Sequence, residues 1–146
     1  MTTLLKLTEE KQMNISEFKN DDFFSMRSTA VVWGRPAVIY VEFDGEHDYY
    51  EALAGFIEII SGRVAWLDEN KAEVLAQFRR DNIAERAGLD ENAAEERAFV
   101  SELTVYCDDG VDNVWINAFV EFGEGAPAVQ IAVSPAGEVE CSGICG

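Results

Sequence analysis

From residue 1 to about 27, apolar residues are isolated among polar ones, and Asp21-Asp22-Phe23-Phe24 is the first cluster able to bury surface. This arm is expected to be partly irregular. Thr29 to Trp33 and Ala37 to Phe43 are β-branched and aromatic runs. Between them Gly34-Arg35-Pro36 punctuates a hairpin, because Pro cannot continue a central strand. In the second run Val38, Tyr40 and Glu42 alternate with Ile39, Val41 and Phe43, so one face is the more apolar, and Asp44-Gly45 closes the strand. Helical spacing then takes over. Behind Asp48 as N-cap, Leu53, Phe56, Ile57 and Ile60 recur three and four residues apart and mark one buried face, with Gly62 ending the helix. A second helix is expected from Asp68 as N-cap, with Val74, Leu75, Phe78 and Ile83 inward and Gly88 as its stop. Asn92 with Glu95 reads as a variant capping box opening a short third helix that reaches Phe99 or Val100.

The last third returns to strands. Leu103 to Cys107 runs into Asp108-Asp109-Gly110, and Val114 to Phe122 follows, the Asp-Gly signature of a turn between strands. Gly123-Glu124-Gly125-Ala126-Pro127 makes the next turn. Ala128 to Val133 and Glu138 to Cys141 then flank Ser134-Pro135-Ala136-Gly137, where Pro sets the turn angle and Gly supplies positive φ. Strands on both sides of a helical middle predict an α+β fold: an N-terminal hairpin, helices over about residues 49 to 100, and a C-terminal antiparallel meander. The helices are expected on one face of a mainly antiparallel sheet. Residues 1–146 form a single acidic domain, with no linker or repeat.

Charge changes the picture most. Twenty-eight Asp and Glu face eleven Lys and Arg, a formal net charge of −17 at pH 7. A field of that sign disfavours nucleic acid and anionic membrane and favours a basic protein partner. Surplus carboxylate also serves solubility, so a merely solvating acidic coat on an adaptor is the plain alternative. Disorder is excluded by 48% hydrophobic and 11% aromatic residues, enough to build a core. Glu9, Glu10 and Lys11 interrupt any signal-like apolar run, and no run approaches the ~20 residues of a membrane span, so the expectation is a cytoplasmic protein. An odd count of three cysteines fits that compartment.

No catalytic motif stands against the binding reading. His47 is the only histidine and lies in the loop Gly45-Glu46-His47-Asp48, with no nucleophile motif around it. Phosphate-cradling motifs are absent, and carboxylates are too abundant for any pair to point to acid–base chemistry. The concrete rival is a small metal-binding or enzymatic domain using Cys107, Cys141 and Cys145, with His47 completing a tetrahedral zinc complement. Cys107 is more simply a buried strand residue. No cofactor is expected. Asp108-Asp109-Gly110-Val111-Asp112-Asn113 lacks the spacing and terminal Glu of a calcium loop.

The stretch Ala98-Phe99-Val100-Ser101-Glu102-Leu103-Thr104-Val105-Tyr106, the turn Asp108-Asp109-Gly110 and the closing Gly143-Ile144-Cys145-Gly146 resemble the C-terminal half of small bacterial α+β proteins. Proteins of that kind accompany polymorphic or contact-dependent toxins as immunity proteins. The resemblance implies a non-enzymatic inhibitor whose carboxylates cover the cationic site of a basic, nuclease-like toxin domain. Candidate partner-binding residues are Asp108, Asp109 and Asp112 at a hairpin turn, with Trp115 or Tyr106 as the neighbouring anchor. Glu42, Asp44, Glu46 and Asp48 form a second cluster between a strand end and a helix start, and Glu121 and Glu124 flank a third turn. Asp-Asp-Gly is also ordinary turn chemistry, and Asp44 and Asp48 also suit a turn and a cap.

Overall fold

The computed structural model describes residues 12–45, 48–107 and 110–145. After a 3-10 turn at Ile15–Glu17 come β1 (Lys19–Asn20), β2 (Met26–Val32) and β3 (Arg35–Glu42). Four helices follow: α1 (Tyr49–Glu69), α2 (Lys71–Arg80), α3 (Ile83–Arg86) and α4 (Glu91–Arg97). β4 (Phe99–Tyr106), β5 (Trp115–Glu121), β6 (Ala128–Val133) and β7 (Val139–Cys145) complete the chain. The seven strands form one sheet in sequence order. Every neighbouring pair is antiparallel except β3 and β4, which run parallel because the whole helical segment connects them. The fold is therefore α+β, with a C-terminal meander and helices against the sheet.

Alternation decides which face is buried. Ala37, Ile39 and Val41 of β3 point into the core, as do Leu103 and Val105 of β4, Ile116, Ala118 and Val120 of β5, and Val129, Ile131 and Val133 of β6. Register aligns them into rows, one running Ile39–Leu103–Ala118–Ile131 and the next Val41–Val105–Ile116–Val133. Each such Ile, Leu or Val contributes about 1.5–3 kcal/mol by leaving water. Leu53, Ile60, Val64 and Leu67 face them from α1 at helical spacing.

α1 is the centre of the packing. At its C-terminal end the Asp68 carboxylate accepts the Trp33 N–H at 2.7 Å, and the Leu67 carbonyl accepts the Trp33 indole N–H at 2.8 Å. The Arg63 guanidinium donates to the carbonyls of Val133, Ser134 and Pro135 in the β6–β7 turn. One helix thus touches both flanks of the sheet, which must curve around it. Register shifts at Val100/Glu102 and Gln130/Ile131 supply the local bends that such curvature needs.

Gly62 does not end α1, and Asp68 is not a helix cap. A mid-helix Gly costs about 1 kcal/mol, less than the burial of Ile60 and Val64 on either side returns. Asn92 lies inside α4, whose cap is Asp90, accepting the Ala93 N–H. The second helix is broken before Ile83 by Asn82, at φ 53°. Gly88 does stop α3: the Leu89 N–H reaches the Ala84 carbonyl and the Gly88 N–H that of Glu85, a Schellman ending. Asp48 caps α1, its carboxylate accepting the N–H groups of Tyr50 and Glu51. Asp48→Ala is expected to lower stability by about 1 kcal/mol in urea unfolding.

The hairpin turn is Trp33-Gly34, both at positive φ, and Pro36 sits inside β3 opposite Val31. In a two-residue hairpin the closing pair, Val32 and Arg35, exchanges the ladder bonds, so position 36 turns its nitrogen toward β4. Pairing with β4 begins only at Val38, and the missing N–H costs nothing. In the N-terminal arm Met13 and Phe18 are the buried anchors, whereas Phe23 is 89% exposed. Asp21 instead turns the chain there, accepting the N–H groups of Phe23 and Phe24. The last strand continues to Cys145, so Cys141 to Cys145 is ladder and not a metal loop. β4 and β7 are three strand spacings apart, about 14 Å, which separates Cys107 from the other thiols. Among the described residues no group of three His, Cys, Asp or Glu is placed to hold a metal. Also among them, no helix is long and apolar enough to cross a membrane.

Candidate partner-binding surface

Parallel pairing of β3 and β4 brings two loops out at the same end of the sheet. Glu42 lies beside Tyr106 at the ends of these strands, and Tyr106 lies beside Trp115 at the start of β5. The Cys107 N–H donates to the Glu42 carbonyl at 2.9 Å and closes the row. The described parts of the β3–α1 loop, with Asp44 and Asp48, and of the β4–β5 loop, with Asp112, therefore leave from adjacent strand ends. The β1–β2 turn joins them, because Met26 pairs with Val41 and the Phe43 N–H donates to Ser25 Oγ at 3.1 Å.

Each loop has a fixed base. Phe43 is buried between the rings of Tyr49, at 6.2 Å, and Phe56, at 5.5 Å. The Tyr49 hydroxyl donates to the Gly45 carbonyl and that of Tyr50 to the Phe18 carbonyl, which gives this tyrosine pair a scaffold role. In the other loop Val114 is buried, Asn113 N–H reaches the Gly110 carbonyl, and Asn113 Oδ1 accepts the Trp115 indole N–H at 3.1 Å. That bond orients Trp115 while leaving 40% of it in solvent.

Of the sequence-derived residues, Asp44, Asp48 and Asp112 are exposed at this end, Glu42 is half-buried, and Trp115 is presented beside them. Asp48 spends its carboxylate on the helix cap. Glu46, His47, Asp108 and Asp109 lie outside the described residues. Glu121 is at the other end of β5, opposite Phe99, and does not belong to this surface. Phe23, which the sequence placed in a cluster able to bury surface, is instead exposed at this end, as is Val111, which the sequence did not mark as a site residue. Their signal was an apolar residue next to Asp in a turn, where no burial is available. This end of the sheet therefore presents exposed carboxylates together with exposed apolar side chains.

Cys107 is buried, Cys141 half-buried and Cys145 exposed. Burial, and then the hydrogen bond and charge of Asp81, push the Cys141 thiol up to about 12. Asp81 itself is held below the usual carboxylate range, chiefly by the Gln77 amide at 3.0 Å. Because folding favours the protonated Cys141 thiol, its stabilising contribution is complete below about pH 9 and is lost as pH rises toward 12. At pH 9 iodoacetamide is expected to modify Cys145 and leave Cys141 largely intact. Asp81→Asn should speed Cys141 alkylation by about threefold or more, read by peptide mass spectrometry. Compared with known proteins, the chain matches no family model, no curated protein and no solved structure.

Proposed function

We propose that this protein is a non-enzymatic acidic inhibitor that binds a basic protein domain, acting as an immunity protein against a nuclease-like toxin. The supporting observation is that adjacent strand ends bring Asp44, Asp48 and Asp112 to one end of the sheet, where Phe23, Val111 and Trp115 are also exposed. In this reading Asp44, Asp112 and their neighbours occupy the groups with which the toxin holds phosphate. Trp115 and Phe23 supply the desolvated anchors that set residence time. The −17 charge accelerates encounter, which makes the association rate fall as salt rises. Action is in the cytoplasm, and neither nucleic acid nor membrane is a partner.

The test is co-expression with the product of an adjacent toxin-like reading frame. The expected outcome is a co-purifying complex with a basic domain and loss of that domain's toxicity. A domain that stays toxic and elutes separately at physiological salt contradicts the proposal.

A further inference from the structure

At the far end of the sheet from the acidic loops, the ends of α2 and β5 meet α3 and α4 around a cavity of about 270 Å3. Its walls are apolar, formed by Phe78, Ile83, Leu89, Ala94 and Phe122, with the rings of Phe78 and Phe122 6.0 Å apart. Two backbone features shape it. Asn82 at φ 53° breaks the helix and turns α3 away from α2, and the Schellman ending at Gly88 swings Leu89 back over the gap. A dry cavity of about 150 Å3 holds benzene, so this space suits a single ring with a short chain.

The polar groups at its edge are unequal in sign. Glu85, Glu91 and Glu95 contribute three carboxylates against the one guanidinium of Arg79, which already sits 2.6 Å from Glu95 Oε1. An anionic ligand would bring its charge to a surplus of negative charge, whereas a cation gains both the apolar walls and the carboxylates. We propose that this cavity binds a small organic cation, a primary amine on an aryl or short branched alkyl body. The ring lies against Phe78 and Phe122, and the ammonium faces Glu85 and Glu91. This site is separate from the acidic loops and stands or falls independently of the toxin-inhibitor reading.

The experiment is an amide NMR titration of the full chain with 2-phenylethylamine, its near-isosteric anion 3-phenylpropanoate, and ethylamine as a cation without a ring. The amine should shift the amides of Ile83, Leu89 and Ala94 saturably, with Kd near ~1 mM for a ligand of this size. The anion should bind about tenfold more weakly, and ethylamine should not saturate. Ala94→Leu, which narrows the cavity, should weaken the amine about tenfold or more. Should that variant not fold, Glu85→Gln with Glu91→Gln, both on the surface, should narrow the amine-to-anion preference by about threefold or more. Equal binding of the anion, shifts confined to the acidic loops, absence of saturation, or variants that leave the affinities unchanged would overturn the proposal.

Discussion

Replacing Arg63 by alanine is expected to destabilise the fold by about 3 kcal/mol, the largest loss from any single polar side chain here. Arg63 is 9% exposed, and among the described residues no carboxylate lies within ion-pair distance of it. It donates to three consecutive carbonyls of the β6–β7 turn, while its Nε finds no acceptor. Burial lowers its pKa, the sign of a charge held at a cost. Truncation leaves those carbonyls facing an apolar gap and removes the tie between α1 and the turn. The Trp66 ring also lies against this turn, 3.4 Å from where a Cβ on Gly137 would sit. Arg63→Met keeps most of the volume and removes the buried charge, and should cost only about 1–2 kcal/mol. Urea unfolding of the two variants decides it. A loss below about 1 kcal/mol for alanine would mean that the strand ladder alone fixes the turn.

The second large effect concerns binding. Asp44→Lys with Asp112→Lys should slow association with the proposed basic partner about 10–100-fold at low salt, and much less at high salt. Trp115→Ala should instead speed dissociation, by the ~2 kcal/mol or more typical of a central aromatic anchor, about 30-fold. Asp112 is exposed, so its substitution should leave thermal stability within ~0.5 kcal/mol of the parent, whereas Trp115→Ala also removes the bond to Asn113 and the buried part of the ring, so its thermal stability is measured alongside the rates. Asp48 is unsuitable for this purpose because its loss also uncaps α1. Surface plasmon resonance at two salt concentrations separates the two effects. Variants that leave both rates unchanged would remove this end of the sheet from the interface.

Local chemistry was readable in the chain wherever one interaction dominated. The alternation of Ile39 and Val41 with Tyr40 and Glu42, the Asp48 cap, the Gly88 stop and the Ala128–Val133 strand all appear as expected. Errors arose where a distant contact outweighed a local preference. Gly62 and Asp68 read as a helix stop and a helix start, yet burial carries α1 through the glycine, and the aspartate serves Trp33, thirty-five residues away. Pro36 read as turn because its safe orientation depends on where β4 begins. The acidic loops and Trp115 were visible as separate clusters, but their convergence follows from the parallel pairing of β3 and β4. The long helical connection between these strands was the available hint, since antiparallel neighbours need only a short turn. Arg63 gave no signal, because a lone Arg on a helix usually faces water.

Hydrogen exchange on the complex with the proposed basic domain decides whether this end of the sheet is the interface. New protection is expected in the β1–β2 turn around Phe23, in the β3–α1 loop, and from Val111 to Trp115, with α4 unchanged. Protection confined to the helices or to the outer strands, with these three loops exchanging as in the free protein, would contradict it.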